Sequence, residues 1–366
     1  MKKISILILV ILGLYILNIF WSTGYFRIIE NKFEGEVLTK INIVGAEDIT
    51  INHIDSFAIV SSTKRKAFPQ NEQETGGLYY IDLKKIESDP ILLTKDFNKP
   101  FAPHGISIFI TDSITTIAVV NHTIEKEYIE IFKLVGTKLT HLKTLDNPMI
   151  LSPNDVVLVN ENSLYFTNDH KYKDGVSRLA EDYLGLPISN VVFFNGLKFK
   201  EVANGISFAN GINYDSKKEL LFVASPRKFY IKVFKKNTDN SLSFIENIYC
   251  GTGVDNIEFD LDDKLWIGAH PSLLHFDSYS KGNNKFAPSE IIAIEYIEKN
   301  NYIKENIYLE TGQAMSGSTV AAPFGNLILM GNVMDNHLLV LRKWLDIYDE
   351  ILAFKKSLFI LAIFSK

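Results

Sequence analysis

The chain has 366 residues, 46% of them apolar, a formal net charge of −5 and one cysteine. That length holds one large domain or two ordinary ones, and the mild negative charge, with no Lys/Arg run interleaved with aromatics, argues against nucleic acid as a main partner. The lone Cys250 excludes an internal disulfide framework and any cysteine-rich zinc site.

In chain order, the first element is hydrophobic. Lys2 and Lys3 precede an apolar run from Ile4 to Trp21 that only Ser5, Gly13 and Asn18 interrupt. About 20 such residues span a bilayer, and the basic flank keeps the N-terminus cytoplasmic, so that everything after it is exported. Residues 1–24 are therefore read as a signal-anchor helix. Cleavage, which would release the protein, and a buried helix of a soluble protein are the alternatives, although Trp21-Ser22-Thr23-Gly24 is a poor small-residue cleavage site.

A pattern then recurs six times over residues 25–343: a short β-rich run, a loop, and a second run of alternating apolar residues. The first runs are Phe57-Ser62, Ile117-His122, Leu164-Asp169, Leu220-Ser225, Leu265-His270 and Leu327-Asn332. Their partners are Leu78-Leu83, Ile129-Leu134, Val191-Gly196, Ile231-Lys236, Leu273-Ser278 and Leu338-Lys343. The starts lie roughly 45 to 60 residues apart, the spacing of four-stranded propeller blades. Val, Ile, Phe and Tyr dominate, as half-buried strands require. The expected fold is all-β, a six-bladed β-propeller, with a β-sandwich or two smaller all-β domains as the alternative. Helical periodicity otherwise occurs over Gly175-Leu184 and in the tail, 344–366, whose final apolar run Leu358-Phe364 is too short to span a membrane.

Between the strand pairs, about once per blade, stand short polar clusters: Glu47-Asp48, Pro103-His104-Gly105-Ile106-Ser107, Pro153-Asn154-Asp155, Phe208-Ala209-Asn210-Gly211-Ile212 and Val254-Asp255-Asn256. Their donors are carboxylate and carboxamide oxygens, which suit a hard cation, calcium above all. On extended backbone, adjacent side chains face opposite ways, so each doublet could serve two ions. Any one doublet is more often a turn or cap; the set on a repeat fold is what points to metal.

The segments GAEDI, PHGIS, VVNH, PNDVV, TNDH, FANGI, VDNI, LWIGAHP and GSTV resemble, in order and spacing, the signatures of the paraoxonase/arylesterase family, from about Phe33 to Leu341. The resemblance implies a calcium-dependent hydrolase of lactones and aryl esters, with phosphotriesterase activity as a side reaction. It implies two calcium ions. Glu47, Asn154, Asn210, Asp255 and Asn256 match the side chains holding a catalytic ion, and Asp48, Asp155 and the Ile106 carbonyl match the ligands of a buried structural one. His104 and His122 match a histidine dyad. His104 is then the base acting on water, with His122 orienting it, or His104 is only positional and a metal-bound carboxylate such as Asp255 activates water. His270 matches a family histidine near the channel mouth, and His170 fits a supporting role; His53, His141, His275 and His337 read as ordinary strand or surface residues. Ser318 lacks the context of a serine nucleophile. The family's disulfide has no counterpart and Ala269 replaces its free cysteine, so closure of the ring rests on strand pairing. The expected partners are a small lactone or ester and, through the N-terminal segment, a membrane. Three other readings stand beside this one: a sugar-lactonase-type calcium propeller, a non-catalytic membrane-tethered propeller with structural calcium, and a strictosidine-synthase-like lyase.

Overall fold

The computed structural model describes residues 2–65 and 76–344. The expected helical tail beyond Trp344 lies outside them. Six antiparallel sheets form the body, and each blade begins with its innermost strand. The innermost strands are Ala46–Asn52, Pro103–Thr111, Pro153–Leu158, Ile212–Asp215, Gly253–Phe259 and Ser318–Phe324. They pack side by side around a ring that lines the central channel.

Burial is most complete in the second strand of several blades and falls away towards the outermost strand, and this explains which runs stood out in the sequence. The second strand of a blade lies between neighbours in its own sheet and under adjacent blades. Phe57–Ser62, Leu220–Ser225 and Leu265–His270 are accordingly buried at every position, and they read as continuous apolar stretches. An outermost strand such as Lys138–Leu145 alternates exposed and half-buried residues. Six apolar clusters fill the gaps between successive blades; one packs Ile49, Ile51 and Val60 of the first blade against Val320, Leu329 and Val340 of the last.

The ring closes without a covalent link. Gly35–Ile41, the first long strand, pairs antiparallel with Leu338–Lys343 and completes the sixth blade, so residues about 300 apart in sequence share one sheet. Lys32–Phe33 adds a short fifth strand to the blade before it.

One expected strand is a helix. Leu273–Ser280 is α-helical, and the partner of Leu265–His270 is Ser289–Glu298. The apolar pattern of Leu273-Leu274-His275-Phe276 suits a strand locally, but only Pro271 and Ser272 separate it from Leu265–His270, and a two-residue hairpin needs a positive φ at its first central position, which proline cannot adopt. The ten-residue Ser289–Glu298 offers a longer buried alternation to the same sheet. The helix instead covers the channel end where the polar clusters sit. The helix Gly175–Leu184 forms as expected and ends on Gly185 in the left-handed conformation.

The N-terminal helix, Lys2–Ser22, is long and apolar enough to cross a membrane, and no residue of its apolar window is buried in the propeller. Its exit is fastened to the same channel end. The Leu273 amide donates to the Thr23 carbonyl, the Tyr25 ring stacks on His275 at 4.8 Å, and Arg27 forms a bidentate ion pair with Glu290 at 2.6 and 2.7 Å.

Candidate metal and hydrolytic centre

Five of the six innermost strands slip register by one residue against their partners at the same level of the channel. The slips lie between Ala46 and Asp48, Pro103 and Ile106, Pro153 and Val156, Val254 and Ile257, and Ser318 and Val320. A bulge leaves a residue unpaired and re-aims its side chain. The bulged residues include Glu47, His104, Asn154, Asp155, Asp255, Asn256 and Thr319. In the remaining blade Asn210 precedes the strand, held by its own amide on the Ala224 carbonyl. The polar clusters of the sequence therefore fall on one ring at one end of the channel.

The blades meet very closely there. A Cβ on Gly105 would lie 2.4 Å from Asp155 Oδ1 and 2.5 Å from its Cα, and one on Gly211 would lie 2.3 Å from the Asp255 carbonyl oxygen. Glycine in PHGIS and FANGI is what lets the next blade bring in its acidic and amide side chains.

Two sets of oxygens result. In the first, Glu47, Asn154, Asn210, Asp255 and Asn256 are all buried. Asn256 Nδ2 donates to Glu47 Oε1 at 3.0 Å, while Asn154 Nδ2 lies 3.3 Å from Asp169 Oδ2. These bonds turn the amide nitrogens aside and leave the oxygens free: Glu47 Oε2 and the Oδ1 atoms of Asn154, Asn210 and Asn256 are buried with no hydrogen-bond partner. A buried acceptor without a donor costs about 1–3 kcal/mol, and four of them from four stretches of chain mark a place for a cation. The second set is Asp48 and Asp155. Asp48 accepts from the amides of Ile49 (2.9 Å) and Ile106 (2.7 Å), and Asp155 from those of Val156 and Ile212 (both 2.7 Å). Each carboxylate ties its own strand to the next blade and keeps lone pairs to spare. At Ile106, whose carbonyl is the expected ligand, it is the amide that engages Asp48.

The electrostatics agree. Burial holds the Asp48 carboxyl at about 7, above its ordinary value, against the pull of its two amide donors. Burial likewise raises Glu47 and Asp155 well above the carboxylate range, with neighbouring carboxylates adding to the effect. Arg65 opposes the rise at Glu47 without cancelling it, and acids crowded with so little counter-charge are what a divalent cation relieves. Among the described residues no group of three or more His, Cys, Asp or Glu has metal-holding geometry. The donors fit instead an oxygen-binding hard cation that accepts amide oxygens.

His104 and His122 come together, ring centroids 4.9 Å apart and nearly perpendicular. His104 Nε2 lies 3.5 Å from Glu47 Oε1. Burial, then Arg65 and His122, hold the His104 imidazole well below its ordinary value, so it is neutral. His270 reaches Asp255 Oδ2 at 2.8 Å and stacks on Phe276 at 3.9 Å. His170 sits between Asp169 (2.6 Å) and Asp182 (2.7 Å). Burial alone would lower its pKa, but the two carboxylates hold it at about 9. Through Asp169 it steadies Asn154.

Sequence reasoning missed several supports. Thr319 donates to the Glu47 carbonyl at 2.5 Å, and Thr167 receives the Asp155 amide at 3.1 Å and donates to the Asn210 carbonyl at 2.7 Å. Arg65, which donates to the Pro103 carbonyl at 3.0 Å, had no local signal. Asp169 and Thr167 stood inside the TNDH segment but were not read as site residues.

The family profile described as Arylesterase matches residues 27–340. Serum paraoxonase/arylesterase 2 of Gallus gallus is 33% identical over 300 residues, covering 79% of this chain and 83% of that protein. Serum paraoxonase/arylesterase 1 of Homo sapiens is 33% identical over 303 residues, with the same coverage. A luciferin-regenerating enzyme shares the fold with a TM-score of 0.54 at 12% identity, covering 86% of this chain and 95% of that one. With its six blades, its ring of buried oxygens and this match over most of its length, the chain belongs to the arylesterase family of hydrolases.

Proposed function

We propose that the protein is a calcium-dependent hydrolase that opens lactones and cleaves aryl esters at the bulged end of the propeller channel. The observation that carries this is the set of four buried, unpartnered oxygens on Glu47, Asn154, Asn210 and Asn256 beside a neutral histidine. These four residues with Asp255 would hold a catalytic calcium, and Asp48, Asp155 and the Ile106 carbonyl a structural one. When bound, the catalytic ion would supply Lewis-acid polarisation of the substrate carbonyl. The chain's own groups do the rest. Asn256 and Asn154 present their oxygens because Glu47 and Asp169 occupy their nitrogens. His270 braces Asp255, and the His104–His122 pair handles the proton of the attacking water. Leu273–Ser280, carrying Phe276, excludes water from the side of the site where it stacks on His270. The paired histidines favour this reading over a sugar-lactonase-type channel or a propeller with structural calcium only. The helix Lys2–Ser22 would hold the propeller at a membrane on its extracytoplasmic side, or be removed to release it.

The test is turnover of phenyl acetate, a δ-lactone, a long-chain γ-lactone and a sugar lactone, with and without EGTA. Activity that vanishes on chelation and returns with calcium supports the proposal, and the best substrate ranks lactonase against arylesterase. Activity indifferent to EGTA, or none in folded calcium-loaded protein, overturns it.

A further inference from the structure

The two histidines at the channel mouth have different neighbours, and those neighbours set their tautomers. His104 Nδ1 lies 2.7 Å from a guanidinium nitrogen of Arg65. A guanidinium donates and cannot accept, so this ring nitrogen is the acceptor. The proton of the neutral imidazole is then on Nε2, the atom facing Glu47 Oε1 at 3.5 Å. In that arrangement His104 has no lone pair left to take a proton. His122 is the reverse. Its Nδ1 lies 2.5 Å from Glu127 Oε2, and a carboxylate only accepts. Nδ1 therefore carries the hydrogen, and Nε2 keeps its lone pair. His122 and Glu127 stand directly opposite one another across the hairpin joining Ile114–His122 to Glu127–Val135, so the backbone ladder itself fixes the contact. Both side chains are about three-quarters buried, with relative exposures of 23% and 25%.

Resting on the hydrolase reading above, we infer that Glu127 is a positioning residue that makes His122, rather than His104, the proton acceptor of the reaction. The attacking water forms its bond to the carbonyl carbon as its proton passes to His122 Nε2. The bond from that carbon to the leaving alkoxide or phenolate oxygen breaks, and the leaving oxygen collects the proton. His104, held by Arg65, donates through Nε2 and keeps Glu47 and the water in register. An imidazole braced at Nδ1 by a carboxylate is a common way to hold the reactive tautomer and to favour the imidazolium that forms. The charged or titratable groups that face His122 are Glu127 on the paired strand and His104 on the neighbouring innermost strand, with Arg65 behind it. Lys126, next to Glu127, is engaged by Asp146.

The experiment compares pH profiles of kcat and kcat/KM for phenyl acetate in the calcium-loaded full chain. The proteins are wild type, Glu127→Gln, Glu127→Asp and, as a control on the same hairpin, Glu125→Gln. Glu127→Gln is expected to lower kcat by roughly ten- to a hundredfold, within the range a general base contributes, with KM changed less than about twofold. The acid limb should move to lower pH. Glu127→Asp should recover most of the rate, and Glu125→Gln should match wild type. Nitrogen-15 spectra of histidine-labelled protein should show His122 as the Nδ1–H tautomer in wild type and a mixture in Glu127→Gln. A Glu127→Gln enzyme with the wild-type rate and acid limb, or an Nε2–H tautomer at His122 in wild type, overturns the assignment while leaving the hydrolase reading intact. A wild-type enzyme that turns over none of the esters overturns both.

Discussion

Removal of calcium should turn the protein into one whose stability falls as pH rises, and Asp48 gives the size of the effect. Its carboxyl is displaced from an ordinary 3.8 to about 7 in the folded, metal-free protein, chiefly by burial. A raised carboxylate means the native state binds more protons than the unfolded chain between those values. Stability therefore decreases with rising pH across that window, and the loss is complete above about pH 7. At about 1.4 kcal/mol per pH unit of displacement this is about 4 kcal/mol for Asp48 alone. About 2.7 kcal/mol of that falls between pH 5 and 8, the rest having been lost by pH 5; for a propeller of roughly 310 residues, at about 2 cal/mol/K of unfolding entropy per residue, the melting temperature should drop by about 4 °C over that range. Glu47 and Asp155 push in the same direction. A bound cation holds these groups ionised and adds binding energy of about 3–4 kcal/mol per site at 100- to 1,000-fold excess over its dissociation constant, so calcium should abolish the decline. The assay is scanning calorimetry at pH 5, 6, 7 and 8 with EDTA or with millimolar calcium. Asp48→Asn serves as the isosteric control: without metal at pH 8 it should melt above wild type, and it should gain less from calcium. A metal-free melting temperature that is flat or rises from pH 5 to 8, or that calcium leaves unchanged, would refute the reasoning.

Three further outcomes are expected. Asn210→Leu removes one of the unpartnered oxygens without adding charge, and should lower phenyl acetate hydrolysis at least a hundredfold while circular dichroism stays native. His170→Gln should cost about 2–3 kcal/mol in urea unfolding below pH 6.5, because the folded imidazole at about 9 is then charged between Asp169 and Asp182; the cost should fade as pH rises through 9, and a pH-independent cost would contradict it. Gly105→Ala puts a methyl 2.4 Å from Asp155 Oδ1 and 2.5 Å from its Cα. It should destabilise the calcium-loaded protein by about 3 kcal/mol or more, towards the upper range for overpacking, and a melting temperature within 2 °C of wild type would show that the blades can part.

Much of the architecture was legible because it is coded locally. Second strands such as Phe57–Ser62 and Leu220–Ser225 are buried along their whole length, so their apolar runs and their spacing announced the blades. The amphipathic Gly175–Leu184 was equally plain, and the polar doublets stood out against the apolar strands around them. Leu273–Ser280 was misread because a short run of large apolar residues fits either period; its identity turned on Ser289–Glu298 taking the place beside Leu265–His270. The parts of the centre left unread are long-range. Thr319 meets the Glu47 carbonyl 272 residues away, and Asn256 meets Glu47 209 residues away. Arg65 reaches His104 39 residues on, with nothing in its neighbourhood to mark it.

By itself the sequence determined a repeat of β-rich units, an apolar N-terminal helix, and a roster of oxygen-bearing side chains suited to a hard cation, because strand propensity, hydrophobic period and donor chemistry belong to single residues and short windows. Only the tertiary structure decided that the ring closes through Gly35–Ile41, that bulges aim those oxygens at one end of the channel, and that Arg65 and Glu127 give the two histidines opposite tautomers. Those outcomes depend on which backbone comes within 3 Å of which, and that distance is set when six blades pack around one axis.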